Sequence, residues 1–181
     1  MRELSLNVLD IAQNSIAAGA SLTKIVVKED TVKKELLIGI YDNGKGMTPE
    51  QVQNVQDPFF TTRTTRKVGM GIPLFKMAAE QTGGRFSIES EVGVGTKVEA
   101  LFKTDSIDFT PLGDMESTVS TIVSMNEDKD FIYIRSVDDR EFEFSSAEIK
   151  QILDGVPLSE PSVIMWIEGH IKEQTEELIK N

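Results

Sequence analysis

Cysteine is absent from all 181 residues, which excludes disulfides and thiolate metal sites. Histidine is almost as scarce: His170 is the only one, and it is expected to be an exposed polar residue of the last helix rather than a phosphorylation site. Long apolar runs are missing too. No stretch approaches the roughly eighteen apolar residues of a membrane-spanning helix, so no membrane association is expected. The start, MRELSLNVLD, has no apolar leader core, and the cytoplasm is the expected compartment. Positive charge is also in deficit, at 19 Lys and Arg against 30 Asp and Glu. Binding to nucleic acid needs clustered basic side chains, so that partner is not expected.

The charge deficit is uneven along the chain. Residues 1–104 hold 13 basic and 12 acidic side chains, whereas 105–181 hold 6 and 18. Together with Pro111 and Gly113 in an irregular stretch, this asymmetry predicts a domain over 1–104, a linker over 105–116 and a small acidic α+β domain over 117–181. The acidic part is a solvated surface or a face for a protein partner.

What is present falls into helical and strand periods. Leu4, Val8, Ile11, Ala12 and Ile16 predict a helix over 3–18, ended by Gly19. Leu22 to Lys28 and Glu35 to Tyr41 predict adjacent antiparallel strands, the second running into Asp42-Asn43-Gly44-Lys45-Gly46-Met47. Thr48 before Pro49 opens a short helix that stops near Pro58. A loop over 59–71 leads to a helix over 72–81, then to strands over 85–90 and 96–103. The C-terminal part is predicted as a three-stranded meander over 119–125, 131–137 and 141–144. A helix from Ser145 to Gly155 follows it, and a last helix, capped by Ser159 or Ser162, has Ile164, Met165, Trp166 and Ile167 packing onto the meander. The first hundred residues thus predict an α/β sandwich with helices on one face of a sheet.

Three features carry chemistry. Asp10 and Asn14 stand four apart, so one helix face projects a carboxylate and a carboxamide, an oxygen pair suited to Mg. Asp42 at a strand end can accept an exocyclic amine, and glycines just after it let backbone approach a flat ring. Gly69-Met70-Gly71 ends a loop holding Arg63, Arg66 and Lys67 and opens a helix whose free N–H groups favour a polyphosphate.

Taken together, these features resemble the GHKL superfamily of histidine kinases, Hsp90, gyrase and MutL, over roughly residues 4 to 103. Leu9 to Ala20 is similar to the N box, Asp42 to Met47 to the G1 box, Asp57 to Arg63 to the F box and Gly69 to Leu74 to the G2 box. Thr82 to Arg85 and Glu91 to Thr96 are similar to the closing segment of histidine-kinase catalytic domains. The resemblance implies a Bergerat fold, a mixed sheet with helices on one face, binding ATP and Mg. It implies that Asn14 ligates the Mg on the phosphates, Asp42 bonds the adenine amine, and Gly44 and Gly46 shape the base pocket. Gly69 and Gly71 would support the phosphates, Thr96 would lie near adenine through water, and Met47, Phe60, Thr61, Thr62, Arg63, Lys67 and Met70 are further nucleotide-binding candidates. Asp10 stands where the hydrolysing members carry Glu and is the candidate base.

The short stretch between Gly46 and Gly69 resembles a kinase-type lid, and with the N box helix first in this sequence no helices carrying a phospho-accepting histidine are expected. The size resembles that of anti-sigma-factor kinases. An ATP-dependent protein kinase or kinase-like regulator is the expected function; an ATP-hydrolysing switch and a non-catalytic ATP-sensing adaptor are the alternatives.

Overall fold

A computed structural model describes residues 3–59 and 70–180. The chain opens with helix α1 (Leu4–Ala17), whose residues Leu4, Val8, Ile11, Ala12 and Ser15 are buried on one stripe. Strands β1 (Leu22–Asp30) and β2 (Glu35–Asp42) follow as an antiparallel pair. Helix α2 (Pro49–Val55) starts where expected: Thr48 Oγ1 accepts the Gln51 N–H and Gln51 Oε1 accepts the Thr48 N–H, a reciprocal cap. Helix α3 (Gly71–Gln81) and the antiparallel strands β3 (Arg85–Glu91) and β4 (Gly95–Lys103) complete the first half.

Beyond residue 104 the structure departs from expectation. The segment read as the end of a linker and a first strand is a helix, α4 (Met115–Ser124). Its Val, Ile, Ser and Thr content suits a strand, because β-branched side chains lose rotamer freedom in helices. Burial overrides that preference: Met115, Val119, Ile122 and Val123 fall on one helical stripe and enter the core, and Asp114 caps the helix by accepting the Ser117 N–H at 2.9 Å.

Strands β5 (Asp130–Val137) and β6 (Arg140–Ser145) form a hairpin, and between β4 and this hairpin there is no further strand among the described residues. Nor do they stand apart as a meander. β5 pairs in parallel with β1 from Leu22 with Asp130 to Glu29 with Val137. The result is one mixed sheet of order β3-β4-β2-β1-β5-β6, so the boundary expected at 105–116 does not divide the sheet.

Helix α5 (Ser146–Leu153) is capped by Ser145, and α6 (Pro161–Ile179) closes the chain. Neither expected serine caps α6. Glu160 holds the N-cap position with Pro161 after it, while the Ser159 N–H donates to Glu127. The buried stripe of α6 is Val163, Ile167, Ile171 and Leu178, which leaves Met165 and Trp166 on the outside. Trp166 is half exposed and its ring stacks on His170, with centroids 4.8 Å apart.

Leu4, Val8, Ile25, Ile38, Phe75, Phe102, Val119, Ile122, Tyr133 and Ile167 belong to one continuous apolar core drawn from both halves of the chain. α1 packs against α3 on one side and α4 on the other, and α4 packs in turn on α6. The start of α1 is fastened by the distant segment before α4. Its Leu4 and Ser5 N–H groups donate to the carbonyls of Pro111 and Leu112 at 2.9 and 2.8 Å, and Glu3 Oε1 accepts the Asp114 N–H at 3.2 Å. Helix N–H groups that lack intrahelical partners are thus satisfied across the boundary expected from sequence.

A shared core predicts shared unfolding. Ile122→Ala should lower stability by about 2–5 kcal/mol. Denaturation followed by Trp166 fluorescence and by far-ultraviolet circular dichroism should still give one coincident transition. Two separated transitions would show that the C-terminal segment folds independently.

Candidate functional site

The sheet builds the floor of a cavity through its alternation. On the face turned to the helices, one row at the sheet end reads Ser90, Thr96, Asp42, Thr23, each the direct partner of the next. The row behind it reads Ile88, Val98, Ile40, Ile25. A polar edge therefore adjoins an apolar floor. Ile11 of α1, Ala18 just past its end, Ile72 of α3, Met47 and Val55 wall the rest of a cavity of about 260 Å³, with Asn14 and Lys45 also on its lining. Such a space, apolar with few convergent polar groups, suits a flat heterocycle.

Asp42 is held there by two bonds. Ser15 Oγ donates to its Oδ2 at 2.6 Å, and the Gly44 N–H donates to its Oδ1 at 2.8 Å. With one bond on each oxygen the carboxylate cannot rotate freely, and its remaining lone pairs are available to a donor. Ser15, one residue past Asn14, was not singled out from sequence. Its burial at helical spacing was readable, but its partner 27 residues away was not.

The loop after Asp42 is pinned on both flanks. Asn43 Oδ1 accepts the N–H groups of Ser21 and Leu22 at 2.9 and 3.0 Å. Lys45 donates its N–H to Ala18 O at 2.9 Å and accepts the Gly93 N–H at 2.8 Å. Two glycines make this possible. A Cβ on Gly44 would stand 2.9 Å from Ala18 Cβ, and one on Gly46, where φ is +73°, would run into the Glu91 carbonyl.

Asn14, Asp42, Gly46, Met47 and Thr96, singled out from sequence, all line this cavity. Asp10 lies one turn before Asn14 and is exposed overall. A Cβ added at Gly71 would come within 3.2 Å of Asp10 Cβ, so α3 starts close to it. Met70 takes the N-cap position of α3 without a side-chain bond, and Gly71 opens the helix. The start of α3 and the Asp10–Asn14 face thus meet at one end of the cavity, where a helix N-terminus favours an anion. Phe60, Thr61, Thr62, Arg63, Arg66, Lys67 and Gly69 lie outside the described residues.

Residues 1–106 match the family described as Histidine kinase-, DNA gyrase B-, and HSP90-like ATPase. The chain belongs to this ATPase family. Among curated relatives of this family, the sensor protein SrrB of Staphylococcus aureus (strain NCTC 8325 / PS 47) is 35% identical over 101 residues, which cover 53% of this chain and 17% of that protein. The chain thus spans under a fifth of the length of the curated relatives it matches. Solved structures share the fold, among them the following two. The N-terminal domain of a DNA repair protein superposes with a TM-score of 0.57 at 14% identity, covering 79% of this chain and 52% of that one. The Aquifex aeolicus MutL ATPase domain, complexed with ADP, gives 0.51 at 17% identity, covering 85% and 70%.

Partial burial of the Asp10 carboxyl pushes its pKa above the usual carboxylate range. A group whose folded-state pKa is raised weakens the fold when ionised, and this penalty is absent where both states are protonated. Asp10→Asn should therefore raise the melting temperature slightly at neutral pH, with the gain vanishing in acid below the ordinary carboxylate range. Thermal unfolding at the two pH values checks this; an equal gain at both, or a loss at neutral pH, contradicts it.

Proposed function

We propose that this chain binds Mg-ATP and acts as an ATP-dependent protein kinase or kinase-like regulator in cytoplasmic signalling. The observation that carries the reading is the Asp42 carboxylate, fixed by Ser15 and Gly44 at the polar edge of an apolar cavity that Asn14 also lines. Asp42 takes the adenine amine, Gly44, Gly46 and Met47 shape the base pocket, and Thr96 stands beside the base. Likeness to a protein named as a sensor favours signalling. No described helix is long and apolar enough to cross a membrane.

For Mg, the donor set near the cavity is the oxygen pair Asp10 and Asn14, and no group of three metal-ligating side chains occurs among the described residues. That fits an ion arriving with the triphosphate, because Mg keeps waters and phosphate oxygens and takes few protein ligands. Asn14 is the ligand in this reading. Gly71, with Met70 before it, meets the phosphates at the start of α3, and Gly69, Phe60, Thr61, Thr62, Arg63 and Lys67 are further nucleotide-binding candidates. Asp10 is the candidate base. Phosphoryl transfer is mostly positioning and charge neutralisation, which this set supplies.

The partner or substrate protein meets the acidic C-terminal segment. There α6 presents Met165 and the Trp166–His170 stack, followed by the exposed Glu173 and Glu176. One observation favours the second reading, an ATP-hydrolysing switch. The helix that carries Asp10 and Asn14 is fastened at its start to Pro111 and Leu112 and packed against α4. Nucleotide occupancy would then bear directly on the C-terminal helices.

Calorimetry of the full chain with Mg and ATP tests the binding. ATP should bind, Asp42→Asn should weaken it roughly tenfold to hundredfold, the range of a hydrogen bond to a charged group, and Asn14→Ala should remove its dependence on Mg. With labelled ATP, transfer to a protein marks the kinase and steady phosphate release the switch. No heat with folded protein, or an Asp42→Asn variant that binds as well, contradicts the reading.

A further inference from the structure

Next to Asp42 on the cavity edge stands a pair of hydroxyls whose protons follow from the donors and acceptors around them. Ser90 Oγ accepts the Met47 N–H at 2.8 Å, lies 3.0 Å from the Gly95 carbonyl oxygen and 2.8 Å from Thr96 Oγ1. A serine hydroxyl has one proton and two lone pairs. The Gly95 carbonyl can only accept, so the Ser90 proton goes there. The Met47 N–H occupies one lone pair, and the other accepts the proton of Thr96. The reverse arrangement would set lone pairs of Ser90 and Gly95 against each other at 3.0 Å and leave the carbonyl without this bond.

The consequence falls on the cavity. Thr96 is the direct cross-strand partner of Asp42, and both line the cavity. Direct partners have Cβ atoms about 4.5–5.5 Å apart, close enough for both to address one edge of a ligand. Asp42 as a carboxylate offers lone pairs alone. With its proton engaged by Ser90, Thr96 does the same.

We infer that Ser90 is a specificity-determining positioning residue: by accepting the hydrogen bond that the Thr96 hydroxyl donates, it makes the base end of the cavity a surface of acceptors only. Such a surface takes a 6-amino purine, directly or through a water that donates to Thr96, and opposes a 6-oxo purine, whose oxygen would meet two sets of lone pairs. This inference rests on the adenine-nucleotide reading above and adds to it a residue that touches no ligand.

The test is the ratio of dissociation constants for inosine triphosphate and ATP, measured by calorimetry on the full chain. Wild type favours ATP. Ser90→Ala frees the Thr96 proton to donate to a 6-oxo group and should narrow the ratio roughly fivefold, the weight of one hydrogen bond. Ser90→Thr, which keeps the hydroxyl, should retain the wild-type ratio. Thr96→Val leaves the Ser90 bonds to Met47 and Gly95 in place, removes one acceptor and should also narrow the ratio. Adding Ser90→Ala to Thr96→Val should then change it no further.

A purely structural role for Ser90 would lower both affinities together, and that result, or additive effects in the double variant, overturns the inference. If Ser90→Ala fails to fold, an unchanged ratio in Thr96→Val overturns it alone. Absence of ATP binding by wild type would instead remove the nucleotide reading, and this inference with it.

Discussion

The architecture of the site depends on one carboxylate held still. Asp42 sits at the last inward-facing position of β2, where the apolar row of Ile40 and Val98 gives way to polar side chains. A charged group at such a border is solvated on one side only and needs fixed partners on the other. Ser15 supplies one from the last turns of α1 and the Gly44 N–H supplies the other from the following loop. The three elements that meet there, α1, β2 and the glycine loop, cannot shift independently. The close packing of Gly44 on Ala18 and of Gly46 on Glu91 expresses the same constraint in the backbone.

The C-terminal segment extends this constraint across the molecule. β5 occupies the β1 edge of the sheet, and α4 covers the side of α1 turned away from α3. Without them, Val8, Ile25 and Val27 would lose neighbours in the common core. α1 is therefore clamped along its length: at its start by carbonyls of residues 111 and 112, on its flanks by α3 and α4, and near its end by the Ser15–Asp42 bond. The acidic surface of the second half and the cavity of the first are parts of one packed body.

Local periodicity and turn chemistry were legible in the sequence, and they located most of the first half. The stripe of α1, the alternation of β1, β2 and β4, and the Thr48–Gln51 cap all stand where pattern placed them, because each is decided by residues within a few positions. Asn14, Asp42, Gly46, Met47 and Thr96 line one cavity because they lie on those elements. Long-range pairing was not legible. β-branched Val119, Ile122 and Val123 read as a strand until packing on α1 and α6 made them a helix face. The parallel pairing of β5 with β1 joins residues more than a hundred positions apart, and a charge asymmetry cannot distinguish a separate domain from an added layer of the same one. Ser15 and Ser90 escaped notice for the same reason. Each matters through a partner that only the folded sheet brings near.

A crystal structure of the full chain with Mg and a non-hydrolysable ATP analogue decides where the nucleotide base lies. The adenine should stand between Ile40, Val98 and Met47, its amine bonded to Asp42, with the triphosphate directed toward Asn14 and the start of α3. A base lodged elsewhere, or turned with its amine away from Asp42, would contradict this placement.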